Sequence, residues 1–211
     1  MRTYWSKSNI VLDSLKILIT THRLKIFRKS KSYHAKEFWR KDVKKFIIRM
    51  FIAIPILLFI TGFCFDNMKR NSVYYAKHTP HKEGTEPVLM MVVDNLEWIY
   101  NPEIDGIEYD FDGYNCIKNY NFKSEDGLYF ASFGGEEYSY DSNDEFYNFN
   151  SDFELTYCSD RHYKKIDIKK IDVEEVKKDI YKMAQPVIDA QSKPRVNLQW
   201  LFDIVYKDKF N

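Results

Sequence analysis

Sixteen consecutive residues, Met50 to Phe65, carry no charged side chain, and they end a longer run, "VKKFIIRMFIAIPILLFITGFCF", that begins at Val43. This run constrains the chain more than any other feature. From Phe46 to Phe65 the only charge is Arg49, and twenty helical residues at ~1.5 Å each match a hydrocarbon core of roughly 30 Å. A core helix of a water-soluble protein would show a polar face, and this run has none. The sequence therefore predicts a transmembrane helix over 46–65. Arg49 sits one turn inside the basic end, where its long stem can reach back to the headgroups beside Lys44 and Lys45. Pro55 is tolerated in lipid, where neighbouring groups and local adjustments re-satisfy the backbone.

The same residues also fit a signal sequence, with a basic start followed by an apolar stretch. Translation beginning near Val43 would make 1–42 an addition to the true chain. Processing could then occur at the small-x-small triplet Gly62-Phe63-Cys64, or by lipidation of Cys64, although Phe63 replaces the small residue a lipidation site needs before its cysteine. An uncleaved anchor is the expectation, with membrane residues Arg49, Pro55 and Cys64.

Charge is divided across this segment. Residues 1–65 hold 14 Lys/Arg against 3 Asp/Glu, whereas 66–211 hold 18 against 28, so the two parts carry +11 and −10. Basic residues collect on the cytoplasmic side of single-pass proteins. The expected organisation is a basic cytoplasmic segment over 1–45, the span over 46–65, and an extracytoplasmic (periplasmic) domain over 66–211. Within the first segment, Val11, Leu15, Leu18 and Ile19 recur at helical spacing among basic residues. They fit an amphipathic helix over 10–27 suited to an anionic leaflet, with a solvated basic tail as the alternative. No recognised nucleic-acid-binding module accompanies the charge, so nucleic acid is not an expected partner.

The outward part is expected to be α+β. "SVYYAK" (72–77) and "VLMMVVD" (88–94) read as strands, followed by "GIEYDF", "DGLYFASF" and "DFELTYC". Asp172 with Glu175 opens an amphipathic helix over about 173–190, kinked or ended near Pro186. Apolar residues at every second position from Val196 to Tyr206 predict a carboxy-terminal strand. A sheet with one helix on one face is the expected domain.

Two cysteines, Cys116 and Cys158, fall in the outward part, and in an oxidising compartment they are expected to pair as a disulfide. No cofactor is expected. His78 and His81 lack further ligands at metal spacing, "DFDG" and "DSNDE" are incomplete calcium loops, and "CSDRH" places Cys158, Asp160 and His162 close in sequence only. No phosphate loop, nucleophile elbow or zinc-protease motif occurs, so an enzyme is not expected; a hydrolase centred on His162 is the least favoured alternative.

The least ordinary outward feature is 124–160, with ten Asp/Glu, ten Tyr/Phe and no Lys or Arg. Alternation of core-facing rings with solvated carboxylates explains much of it. The remainder predicts an acidic surface with tyrosine anchors for a cationic protein partner: Glu136, Glu137, Tyr138, Tyr140, Asp144, Glu145 and Tyr147. The expectation is a single-pass bacterial envelope protein, embedded in the lipid bilayer, that binds a protein as an inhibitor or immunity factor. A structural or accessory subunit of a membrane complex is the alternative.

Overall fold

A computed structural model describes residues 33–121, 127–142 and 144–211. The proposed amphipathic helix over 10–27 lies outside them. The chain divides into two compact units, Met1–Phe59 and Ile60–Asn211.

Helix α1 runs from Tyr33 to Arg70 with Pro55 inside it. Val43–Arg70 is 28 residues long, and its most apolar 18-residue window has mean hydropathy 2.3 with none of that window buried. Phe51 and Phe59 are three-quarters exposed. A core helix would hide such rings, so a helix this long, apolar and unburied supports membrane association. Beyond the apolar run, residues 66–70 continue the helix through Arg70.

The second unit is α+β. Helices α2 (Ser72–Ala76) and α3 (Pro87–Asp94) precede a six-stranded sheet. Its strands are β1 (Ile107–Asp110), β2 (Asn115–Asn119), β3 (Leu128–Phe133), β4 (Glu137–Asp141), β5 (Glu145–Phe149) and β6 (Leu155–Asp160). They form an antiparallel meander in chain order. Next come α4 (Val173–Asp189), α5 (Gln199–Val205) and α6 (Lys207–Phe210). Strand alternation sends Ile117, Phe130, Tyr138, Tyr140, Tyr147 and Phe149 to one inner face, where they join the apolar sides of α3 and α4 in a single core.

Three predicted strands are helices. "VLMMVVD" is α3, whose Pro87 occupies the first turn, where a missing N–H is harmless. Leu89 to Val93 are all fully buried. "SVYYAK" forms α2, directly after the break at Asn71. The expected carboxy-terminal strand is α5 and α6: Leu198, Phe202 and Phe210 are buried while Trp200 and Ile204 are each 63 % exposed. Residues four apart share a helix face, so apolar groups at every second position simply supplied both faces. The expected α4 is present, and Asp172 caps it by accepting the Glu175 N–H. It runs on through Pro186 to Asp189.

The expected disulfide is absent: Cys116 and Cys158 are both free and buried. Cys116 lies in β2 and Cys158 in β6, with three strands between them. At ~4.8 Å per strand spacing, that is roughly 19 Å, far beyond the ~7 Å between Cα atoms that a disulfide spans. They also occupy opposite faces. Cys158 faces Tyr147 on the inner side, whereas Cys116 opposes Ala131, which opposes Ser139, whose hydroxyl bonds Asn148 on the outer side.

Candidate functional site: the outer face of the sheet

The strand register fixes which residues share the face turned away from the core. One row across the sheet reads Glu108, Lys118, Tyr129, Asp141, Phe146 and Ser159. The neighbouring row reads Asp110, Cys116, Ala131, Ser139, Asn148 and Tyr157. Phe133 opposite Glu137 begins a third. Four carboxylates, those of Glu108, Asp110, Glu137 and Asp141, thus stand on this face. Lys118 is held at 3.1 Å by Asp110. That contact raises the Lys118 pKa, and the Asp112 N–H followed by Lys118 lowers that of Asp110, so both charged forms are favoured. The face keeps an acidic excess.

Half-exposed rings interleave with these charges. Tyr114, in the β1–β2 turn, packs its ring 5.2 Å from that of Phe133 and 6.2 Å from that of Tyr129. Phe133 is 42 % exposed, and Tyr129, Phe146 and Tyr157 are partly so. Small residues lie beneath them, since Cys116, Ala131 and Ser139 are buried. Burial pushes the Cys116 thiol up to about 12 and raises the Tyr129 hydroxyl as well. Both stay protonated at neutral pH, so Cys116 is no nucleophile. What this layer offers is flat aromatic surface beside fixed carboxylates.

The anticipated partner-binding residues are scattered by the same register. Tyr138, Tyr140 and Tyr147 face the core and are at most 7 % exposed, so the structure withdraws them as anchors. Tyr140 and Tyr147 stack at 5.9 Å, and the Tyr147 hydroxyl is held by Glu145. Glu136 and Glu137 are exposed at the β3–β4 turn, and Asp144 is exposed near Arg161 at 3.9 Å. Only Glu137 of that set joins the outer face. The rings that do are Tyr129, Phe133, Phe146 and Tyr157: Phe146 is one residue from the predicted Tyr147, and the other three lie on β3 and β6, outside the predicted set. Strand register was the missing signal: in a half-buried strand, choosing the wrong parity selects the core face.

Other polar clusters are satisfied internally. Asp94 accepts from Ser132 Oγ at 2.5 Å, Tyr138 Oη at 3.0 Å and Lys209 Nζ at 2.6 Å. Burial, then the Asp94 charge, drives the Tyr138 pKa up, which keeps it a neutral donor. An open groove of about 370 Å³ lies between Phe153, Leu155, Ile168 and Val173, with Lys177 at its wall. Lys177 bonds the Gly84 carbonyl at 2.7 Å and pairs with Glu86 at 3.3 Å and Glu174 at 3.4 Å. "CSDRH" does not converge, because Cys158 is buried while His162 projects from an exposed turn. His78 Nδ1 and His81 Nδ1 each lie within 3.0 Å of a backbone carbonyl, those of Tyr74 and Thr79. Among the described residues no group of three or more His, Cys, Asp and Glu is arranged to hold a metal ion.

No family model, curated protein or solved structure matches the chain.

Proposed function

We propose that the chain is a membrane-tethered binding protein whose outer sheet face captures a cationic segment of a protein partner. The observation that carries this reading is the interleaving of Tyr129, Phe133, Phe146 and Tyr157 with Glu108, Glu137 and Asp141 on a single face. Aromatic faces attract Arg and Lys through their quadrupoles, and nearby carboxylates speed encounter with a positively charged partner. Tethering is supported by the unburied apolar helix. The division of charge, +11 over 1–65 and −10 over 66–211, supports a cytoplasmic amino end and an outward domain. A domain so placed can meet a basic protein at the cell surface, as an inhibitor or immunity factor does.

The test uses the full-length protein in detergent micelles, with fluorescent arginine-rich and glutamate-rich peptides as probes, and envelope extract as the source of native partners. Phe133→Ala with Tyr157→Ala should weaken arginine-rich peptide binding by about tenfold or more, the usual effect of truncating central aromatic anchors. Glu137→Gln with Asp141→Asn should slow association and flatten its salt dependence. Equal affinity for both peptides, or capture unaltered in both double variants, would remove the reading.

A further inference from the structure

The end of the apolar helix is in contact with a loop of the folded domain, and that loop exposes aromatic side chains the core does not need. Lys69 Nζ lies 5.0 Å from the ring centre of Phe65, the last residue of the apolar run, and 4.8 Å from that of Trp98. Trp98 is 40 % exposed and Tyr100 63 %, while Ile99 between them is buried. The loop is held in place. The N–H groups of Trp98 and Ile99 both donate to the Asn95 carbonyl, and Asn101 Nδ2 donates to the Leu96 carbonyl at 2.8 Å. Gln191 clasps Tyr100 from both sides, accepting from its N–H at 3.3 Å and donating to its carbonyl at 2.7 Å. Ile99 pins the loop inward, and the two rings project from a rigid support.

We propose that Trp98 and Tyr100 form a membrane-surface anchor that seats in the lipid headgroup layer beside the exit of the helix. This rests on the reading of 46–65 as a membrane span. The occupant follows from continuity: if Phe65 ends the hydrocarbon-embedded run, a ring that shares a lysine with it lies about one side chain further out, at headgroup depth. Trp and Tyr concentrate at that depth because an apolar body and a polar tip suit a boundary between oil and water. Lys69 stands between Phe65 and Trp98 and can meet a lipid phosphate there. No flexible linker intervenes, because α2 begins only two residues after α1 ends.

Fluorescence quenching by brominated lipids tests this in the full-length chain reconstituted into vesicles. One variant keeps Trp98 as its sole tryptophan, with Trp5→Phe, Trp39→Phe and Trp200→Phe. A control replaces all four native tryptophans by Phe and carries Phe59→Trp within the apolar run. Trp98 should lose emission with lipids brominated near the headgroup end of the chain, and less with lipids brominated near the chain terminus. The Phe59→Trp control should be quenched most by the deeper bromines. A quenched control with Trp98 unaffected overturns the anchor and leaves the span standing. If neither is quenched, the span reading falls and the anchor with it, while quenching of Trp98 alone would keep surface contact and discard the span.

Discussion

Lys209 Nζ sits 2.6 Å from Asp94 Oδ2, joining α6 to the end of α3 across the β3–β4 turn. The Asp94 side chain is 10 % exposed and that of Lys209 23 %. The turn is shaped around them: Lys209 also donates to the Gly135 carbonyl at 3.2 Å, and a Cβ on Gly135, at φ +76°, would meet Lys209 Nζ at 3.0 Å. Lys209→Met should leave the Asp94 carboxylate partly buried with only the Ser132 and Tyr138 hydroxyls, and lower stability by about 3 kcal/mol, the usual effect of removing one partner of a buried pair. Adding Asp94→Asn should restore part of the loss. Urea unfolding of the full chain in micelles, arranged as a double-mutant cycle, measures the coupling; additive losses would show that the two residues act independently.

The sheet was legible where its strands alternate and where glycine or aspartate punctuates them, as in "GIEYDF" and "DGLYFASF". It was illegible in two kinds of segment. Leu89 to Val93 form an unbroken apolar run, which carries no periodicity and fits a buried strand as well as a buried helix; Pro87 at the first helical position was the available cue. From Val196 to Tyr206 the apolar residues satisfy a period of two and a period of four together. Packing decided between them, since the Phe202 ring packs at a tilt against Tyr75 at 5.5 Å and Tyr206 at 4.5 Å. The candidate site was half legible. Its composition was visible in 124–160, but which rings face outward depends on strand parity, and parity is fixed by partners as distant in sequence as Lys118 and Tyr129.

Alkaline pH should destabilise the fold through its thiols before its tyrosines. Burial moves Cys116 from its ordinary value of 9.0 up to about 12 and Cys158 up to about 11. The folded state thus holds these protons more tightly than the unfolded state. The stability each contributes is fully present below pH 9 and is lost as pH rises through the folded values. Denaturation curves collected from pH 7 to pH 10 should show stability falling above 9, with a flatter profile for Cys116→Ala combined with Cys158→Ala. Mass spectrometry after alkylation in denaturant, without reductant, should find both thiols modified; a mass two hydrogens short of the reduced chain would signal a disulfide.

Tyr75 connects α2 to the segment before α5 through its hydroxyl, which donates to the Val196 carbonyl at 2.8 Å and accepts from the Leu198 N–H at 3.1 Å. Its ring is fully buried. Tyr75→Phe keeps the ring and removes both bonds, leaving a buried N–H unpaired. The expected loss is about 1–3 kcal/mol. Hydrogen exchange should localise it, with the Leu198 amide losing protection first; unchanged exchange at Leu198 would mean that water replaces the hydroxyl.

Phe153 is fully buried although its backbone lies in the left-handed region at φ 64°. A residue other than glycine there is strained by about 1–2 kcal/mol, so its neighbours must hold it. Two do so directly: Asn150 Oδ1 accepts from the N–H groups of Asp152 and Glu154 to shape the turn, and the Phe153 ring stacks on Phe149 at 4.8 Å. Phe153→Ala should cost about 3–5 kcal/mol, because it empties the ring's space and keeps the strain. Phe153→Gly empties the same space and relieves the strain, against an entropic cost to glycine of roughly 0.5–1 kcal/mol. At an ordinary core position glycine is the worse of the two; here its variant should unfold at the same denaturant concentration as the alanine variant or higher. A midpoint clearly below that of Phe153→Ala would show that the left-handed backbone at 153 stores no strain.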